Sequence, residues 1–176
     1  MACTISSTPK KKCNFLNIAG VGQIYFIPVD DIDWLSWSVS AGIVTSIPKI
    51  ATKVFKEFNC NTNQSELTVD FEYDTITETG YREAMLDTWL VDLGATLLEA
   101  TKTYETGVHL IAVVETEKGE KFIIGEQFAP LVCYKSQLKT GKKQKGQTSQ
   151  KTMSFSAKNL KTELIEYTGT MVALLT

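Results

Sequence analysis

The side chains that could do chemistry are few and scattered. His109 is the only histidine, and it stands in the apolar run "VHLIAVV". A nucleophilic Ser or Cys needs a base held beside it, so His109 reads instead as a strand residue with a packing or hydrogen-bonding role. Cys3, Cys13, Cys60 and Cys133 contain no C-x-x-C pair, whereas zinc sites draw on closely spaced Cys and His. Asp30, Asp31 and Asp33 in "DDID" offer oxygen ligands, but the Gly and distal Glu of an EF-hand loop are missing, which leaves an exposed turn. "GVG" at Gly20–Gly22 is not followed by the rest of either phosphate-binding fingerprint. Asp70 and Glu72 share one face of a strand, as surface charge does. The expectation is a protein that is not an enzyme and uses no metal and no cofactor.

Charge is the more telling feature. The formal net charge is −2, yet fifteen acids between Glu57 and Glu126 face only Arg82, Lys102, Lys118 and Lys121. From Lys135 to Lys151 there are six lysines and no acid, and Lys10–Lys12 form a second basic patch. The segment "LKTGKKQKGQTSQK", residues 138–151, could grip nucleic acid, act as a linker or contact another protein. It has no arginine, and the one aromatic near it is Tyr134. Base readout favours Arg, Asn or Gln forks and single-strand binding favours stacked aromatics, so the loop offers nucleic acid only non-specific phosphate contacts.

The elements that carry these residues are mostly strands. With 176 residues, 43% hydrophobic and 22% charged, the chain can bury a core of its own. Residues 1–13 read as a polar, basic arm, and 14–176 as a single β-rich domain. No apolar signal core stands in "MACTISSTPKKKC", and the longest apolar runs are too short to span a bilayer. The cysteines suit a reducing cytoplasm.

"GQIYFIPV" reads as a strand, and "WLSWSVSAGIVTSIPK" as a short strand with a loop. In "SELTVDFEYD" the residues Leu67, Val69, Phe71 and Tyr73 alternate with Glu66, Thr68, Asp70 and Glu72, the period of a strand with one acidic face. "ATKVFKEFN" before it is expected to pair with it as an antiparallel hairpin across "NCNTNQ". Met85, Leu86, Trp89, Leu90, Leu93 and Leu97 fall three and four apart and predict a helix over about 79–101. "VHLIAVVETEKGEKFIIG" reads as a hairpin, "PLVCYKSQL" and "KTMSFSAK" as strands, and "LKTELIEYTGTMVALL" as the last strands. The pattern is a mainly β domain with one packed helix.

The order of these runs resembles a group of small virion proteins of tailed bacteriophages of Bacteroides-type hosts, including crAss-like phages. The residues that carry the resemblance are Ile111–Glu115, Lys118-Gly119, Phe122–Gly125, Gly141 and Met153–Ser156, together with the opening "CNFLNIAGVGQIYFIPVDDI". It implies a tail-tube-like β-barrel or β-sandwich of antiparallel strands with a flanking helix. It further implies a subunit of a homo-oligomeric ring in the tail or neck, surrounding the DNA conduit. Partners would be copies of the chain and neighbouring ring, portal or tail proteins. DNA would pass without sequence recognition, and no membrane is involved. Localisation would be the virion, after synthesis in the bacterial cytoplasm.

On this expectation Glu66, Asp70 and Glu72 form a conduit-facing acidic strand. The lysine loop, through Lys139, Lys142, Lys143, Lys145 and Lys151, reaches an acidic surface of a neighbouring subunit and orders on assembly. The alternative is a cytoplasmic nucleic-acid-binding or accessory β-domain that uses the lysine loop.

Overall fold

A computed structural model of the chain describes residues 20–60, 65–74, 79–90, 95–139, 150–162 and 164–176. In chain order these form β1 (Val21–Pro28), β2 (Ile43–Val44), β3 (Lys56–Asn59), β4 (Glu66–Asp74), β5 (Thr79–Leu90) and α1 (Ala95–Glu105). There follow β6 (Leu110–Thr116), β7 (Lys121–Ile124), β8 (Val132–Lys139), β9 (Gln150–Lys158), β10 (Ile165–Tyr167) and the one-turn α2 (Val172–Leu175). The larger sheet has the order β2-β10-β7-β6-β1-β3, and the smaller β4-β5-β9-β8. Among the described residues the one parallel pair is β10 on β2. The protein is mainly β, as expected, but among the described residues the two sheets end in edge strands and do not close into a barrel.

The larger sheet is a middle layer, which explains its unbroken apolar runs. One face carries Ile24, Phe26, Ala112 and Val114 against Leu86, Met153 and Phe155 of the smaller sheet. The rings of Phe26 and Phe155 lie 5.0 Å apart across this seam. The other face carries Tyr25, Ile27, Ile111 and Val113, covered by Val44, Ile47 and Phe55 of the long β1–β3 connection and by Leu174 of α2. Lys49 fastens this cover, since its ammonium donates to the carbonyls of Ala173 at 2.9 Å and Leu174 at 3.2 Å. Cations suit a helix C-terminus because the last carbonyls lack partners within the helix.

The smaller sheet buries only one face, so its strands alternate. In β9, Met153, Phe155 and Ala157 are buried while Ser154 and Ser156 are not. Tyr104 of α1 reaches the seam, with its ring 5.2 Å from Phe26 and 5.8 Å from Phe58.

Several expectations are corrected. The predicted helix over 79–101 is strand β5 followed by α1, and Leu93 lies outside the described residues. Ala84, Leu86, Thr88 and Leu90 point inward at a period of two, and the Thr88 hydroxyl donates to the carbonyl of Met153 at 3.0 Å. A satisfied polar residue in the core thus hid the alternation, while Met85 and Trp89 on the opposite face supplied the helix-like spacing. The runs around β3 and β4 are not hairpin partners: β3 pairs with β1 in the larger sheet, and β4 with β5 in the smaller. The final run holds one strand, β10, and ends in α2.

The apolar face of β4 is buried only at its start. Leu67 is in the core, whereas Phe71 is 60% exposed and Tyr73 53%. Strand β9 pairs with β5 from Glu83 to Leu90, so among the described residues the end of the β4–β5 ribbon is two-stranded. There the Phe71 ring lies over Gly80, where a Cβ would come within 2.7 Å of it. The Arg82 guanidinium is 5.0 Å from the same ring.

Candidate functional site

The outer face of the smaller sheet gathers the predicted acids. Alternation with buried Leu67 sets Glu66, Asp70 and Glu72 on that face, and all three are exposed. Strand β5 adds Glu83 and Asp87, which the helix reading had hidden. Their alternation with buried Ala84 and Leu86 was the signal that could have found them. Register places Glu66 directly opposite Asp87 and Asp70 directly opposite Glu83. Like charges opposite one another across a ladder are destabilising. Lys158 offsets one of these acids, with its ammonium 3.7 Å from the Glu83 carboxylate. Glu72 accepts a hydrogen bond from the Tyr81 hydroxyl.

The other edge is basic. A bulge between Cys133 and Lys135 resets β8, and beyond it Lys135 pairs with Ser154 and Lys139 with Gln150 on the outer face. Both lysines are exposed. Lys142, Lys143, Lys145 and Gly141 lie outside the described residues, as does the arm 1–13. The segment holding these three lysines continues from the basic end of β8.

Lys151 is a correction. It belongs to β9 and is buried, with its ammonium 2.7 Å from the Thr101 hydroxyl and 2.6 Å from the Glu105 carboxylate. Its partners come from α1 of its own chain, because β9 directs this side chain inward beneath the helix. Glu105 also accepts from the Ser136 hydroxyl at 2.6 Å. The hydrogen bond from Lys151, then that from Ser136, holds the Glu105 carboxyl below its usual range.

Residues considered for chemistry are dispersed. His109 is exposed and precedes β6, and its carbonyl accepts from the Val29 amide at 3.0 Å. Asp33 closes a local turn, accepting from the Leu35 amide at 3.2 Å and the Ser36 hydroxyl at 2.6 Å. Asp31 pairs with Lys53 at 3.0 Å. Burial pushes the Cys60 and Cys133 thiols up, away from the thiolate that nucleophilic work needs. Among the described residues no group of three or more His, Cys, Asp or Glu could hold a metal ion. Among them, no helix is long and apolar enough to cross a membrane.

Comparison of the chain with protein-family models, with curated proteins and with solved structures finds no match. The functional reading therefore stands on the geometry of this one molecule.

Proposed function

We propose that the protein is a non-enzymatic structural subunit of a phage virion, forming a homo-oligomeric ring in the tail or neck around the DNA path. One observation supports the reading: the smaller sheet is acidic at its β4 edge and basic at its β8 edge, and among the described residues no strand pairs with either. Its four strands alternate in direction, so β4 and β8 run opposite ways. A second copy placed head to tail would set its β4 antiparallel to β8 of the first. Acids would then meet lysines, and both exposed backbone ladders would find partners. A contact between two different patches propagates, and it closes into a ring when the rotation per copy allows.

The tail-tube-like reading assigns the acidic rows Glu66–Asp87 and Asp70–Glu83 to the lumen. Like-charge pairs cost stability, and a wall that repels phosphate is a use for which such a cost is kept. DNA would slide along it without sequence recognition. Lys139 at the end of β8, and Lys142, Lys143 and Lys145 next to it in sequence, would contact the neighbouring subunit, and portal or other tail proteins would bind the ring's ends.

Electron microscopy of the purified chain tests this directly. Rings or tubes are expected. Monomers at all concentrations would reject the reading, and salt-sensitive DNA binding by those monomers would favour a nucleic-acid-binding domain instead.

A further inference from the structure

Among the described residues the two large hydrophobic side chains most open to solvent are Leu35, fully exposed, and Phe128, 81% exposed. Both belong to one place. Phe128 lines an apolar groove of about 280 Å³ together with Trp34, Trp37, Val39 and Ile165, and Leu35 stands between the two tryptophans in sequence. Aromatic anchors around an open pocket are the usual centre of a protein–protein contact.

Both sides of this place are tied down. Asp33 closes the turn that presents Leu35, accepting from the Leu35 amide at 3.2 Å and the Ser36 hydroxyl at 2.6 Å. The Trp34 indole donates to the Val29 carbonyl at 3.0 Å, and the Trp34 and Trp37 rings lie 5.1 Å apart. Across the groove, one Glu126 carboxylate oxygen accepts from the Lys161 amide at 3.2 Å, the Thr162 amide at 3.1 Å and the Thr162 hydroxyl at 2.8 Å. A knob and a hole formed in advance lose little freedom on binding.

The occupant follows from the position of the knob. Fully exposed, Leu35 packs on nothing in its own chain and leaves its own groove open. In a two-fold contact both copies use the same patch, so the patch must carry both halves of the fit. Here the knob, Leu35, and the hole, the Trp34–Trp37–Phe128 groove, stand side by side on one chain. The charges meet the same requirement. A groove wall of one sign would repel its own copy, whereas this lining holds both Glu126 and Lys161. Across a two-fold axis the carboxylate of each copy can face the ammonium of the other.

We propose that Leu35 of each of two copies inserts into the Trp34–Trp37–Phe128 groove of the other, in a reciprocal two-fold dimer. The contact uses neither the β4 nor the β8 edge, so it goes beyond the ring reading and stands without it. With one knob per copy the interface is small, and the dimer belongs with the weak, concentration-dependent ones.

The test uses the full chain carrying both Glu66→Lys and Asp70→Lys, which on the ring reading cannot join at its β4 edge. Sedimentation should show a monomer–dimer equilibrium. Leu35→Asp should weaken it by about a hundredfold or more, since both knobs are lost, with the melting temperature of the monomer unchanged. A photo-crosslinking leucine analogue at position 35, mixed with isotopically heavy chain, should join to Trp37 or to residues 126–128 of the heavy copy. Monomers at every concentration, a dimer unaffected by Leu35→Asp, or crosslinks to other segments would each overturn the proposal. The same crosslinking in the chain without the edge substitutions, viewed by microscopy, separates the two ideas. Rings without crosslinks from position 35 to another copy reject the dimer alone, and crosslinked dimers without rings reject the ring alone.

Discussion

The ammonium of Lys151 sits 2.6 Å from the carboxylate of Glu105, with the lysine side chain 7% exposed and the glutamate 35%. This pair ties α1 to β9 at the start of the strand, and its two ends differ in burial. Removing Glu105 strands a buried charge, while removing Lys151 leaves a carboxylate that water can solvate. Glu105→Gln should therefore cost about 2 kcal/mol and Lys151→Met less than about 1 kcal/mol. Urea denaturation of both variants measures the difference; equal costs would contradict the asymmetry.

The same pair predicts a pH dependence. The folded Glu105 carboxyl is held below its ordinary range, so its contribution is present above the unfolded value and is lost as pH falls through the folded value. Wild-type stability should fall more steeply in acid than that of Glu105→Gln. Denaturation midpoints taken from neutral pH down through the carboxylate range give the comparison.

The acidic edge separates folding from assembly. Glu66→Lys and Asp70→Lys each replace a like-charge cross-strand pair with an opposite one. Each should raise monomer stability by about 0.2–1 kcal/mol while blocking rings. Adding Lys135→Glu and Lys139→Glu to a chain that carries both Glu66→Lys and Asp70→Lys should restore them, read by sedimentation and microscopy. Unimpaired rings from the acid-to-lysine variant alone would remove the edge pairing.

Charge reversal at Lys142, Lys143 and Lys145 addresses the continuation of the basic edge. The triple glutamate variant should keep the wild-type far-ultraviolet dichroism and melting temperature yet fail to assemble. Normal rings from it would show that these lysines are not the contact.

In the seam, Phe155→Ala should cost about 3–5 kcal/mol, because this fully buried ring packs on Phe26 and cannot be replaced by water. Gly125 has φ +93°, and a Cβ there would meet the Leu110 carbonyl. Gly125→Ala should destabilise by about 1–3 kcal/mol through strain and crowding together. Thermal melts of the two variants check both values.

What could be read ahead of the structure was whatever one period encodes. The two-sided burial of β1 and β6 is written in their apolar runs, and the single-sided burial of β9 in Met153, Phe155 and Ala157. The acidic face of β4 followed from Glu66, Asp70 and Glu72. Strand β5 was misread because Thr88 occupies a core slot and satisfies its hydroxyl with a carbonyl from another strand, a solution visible only in three dimensions. Lys151 looked like the last of six equivalent lysines, and only the placement of Thr101 and Glu105 above it sets it apart. The groove joins segments around residues 34, 126 and 161, which no local pattern connects.

The four-strand width of the smaller sheet fixes a dimension. Strands lie about 4.8 Å apart, so in an edge-joined ring with strands running along the axis each copy lays down about 19 Å of wall. Adding one copy widens the bore by about 6 Å. The calibre of any tube built this way therefore comes in steps, and a measured diameter would count its subunits without resolving one of them.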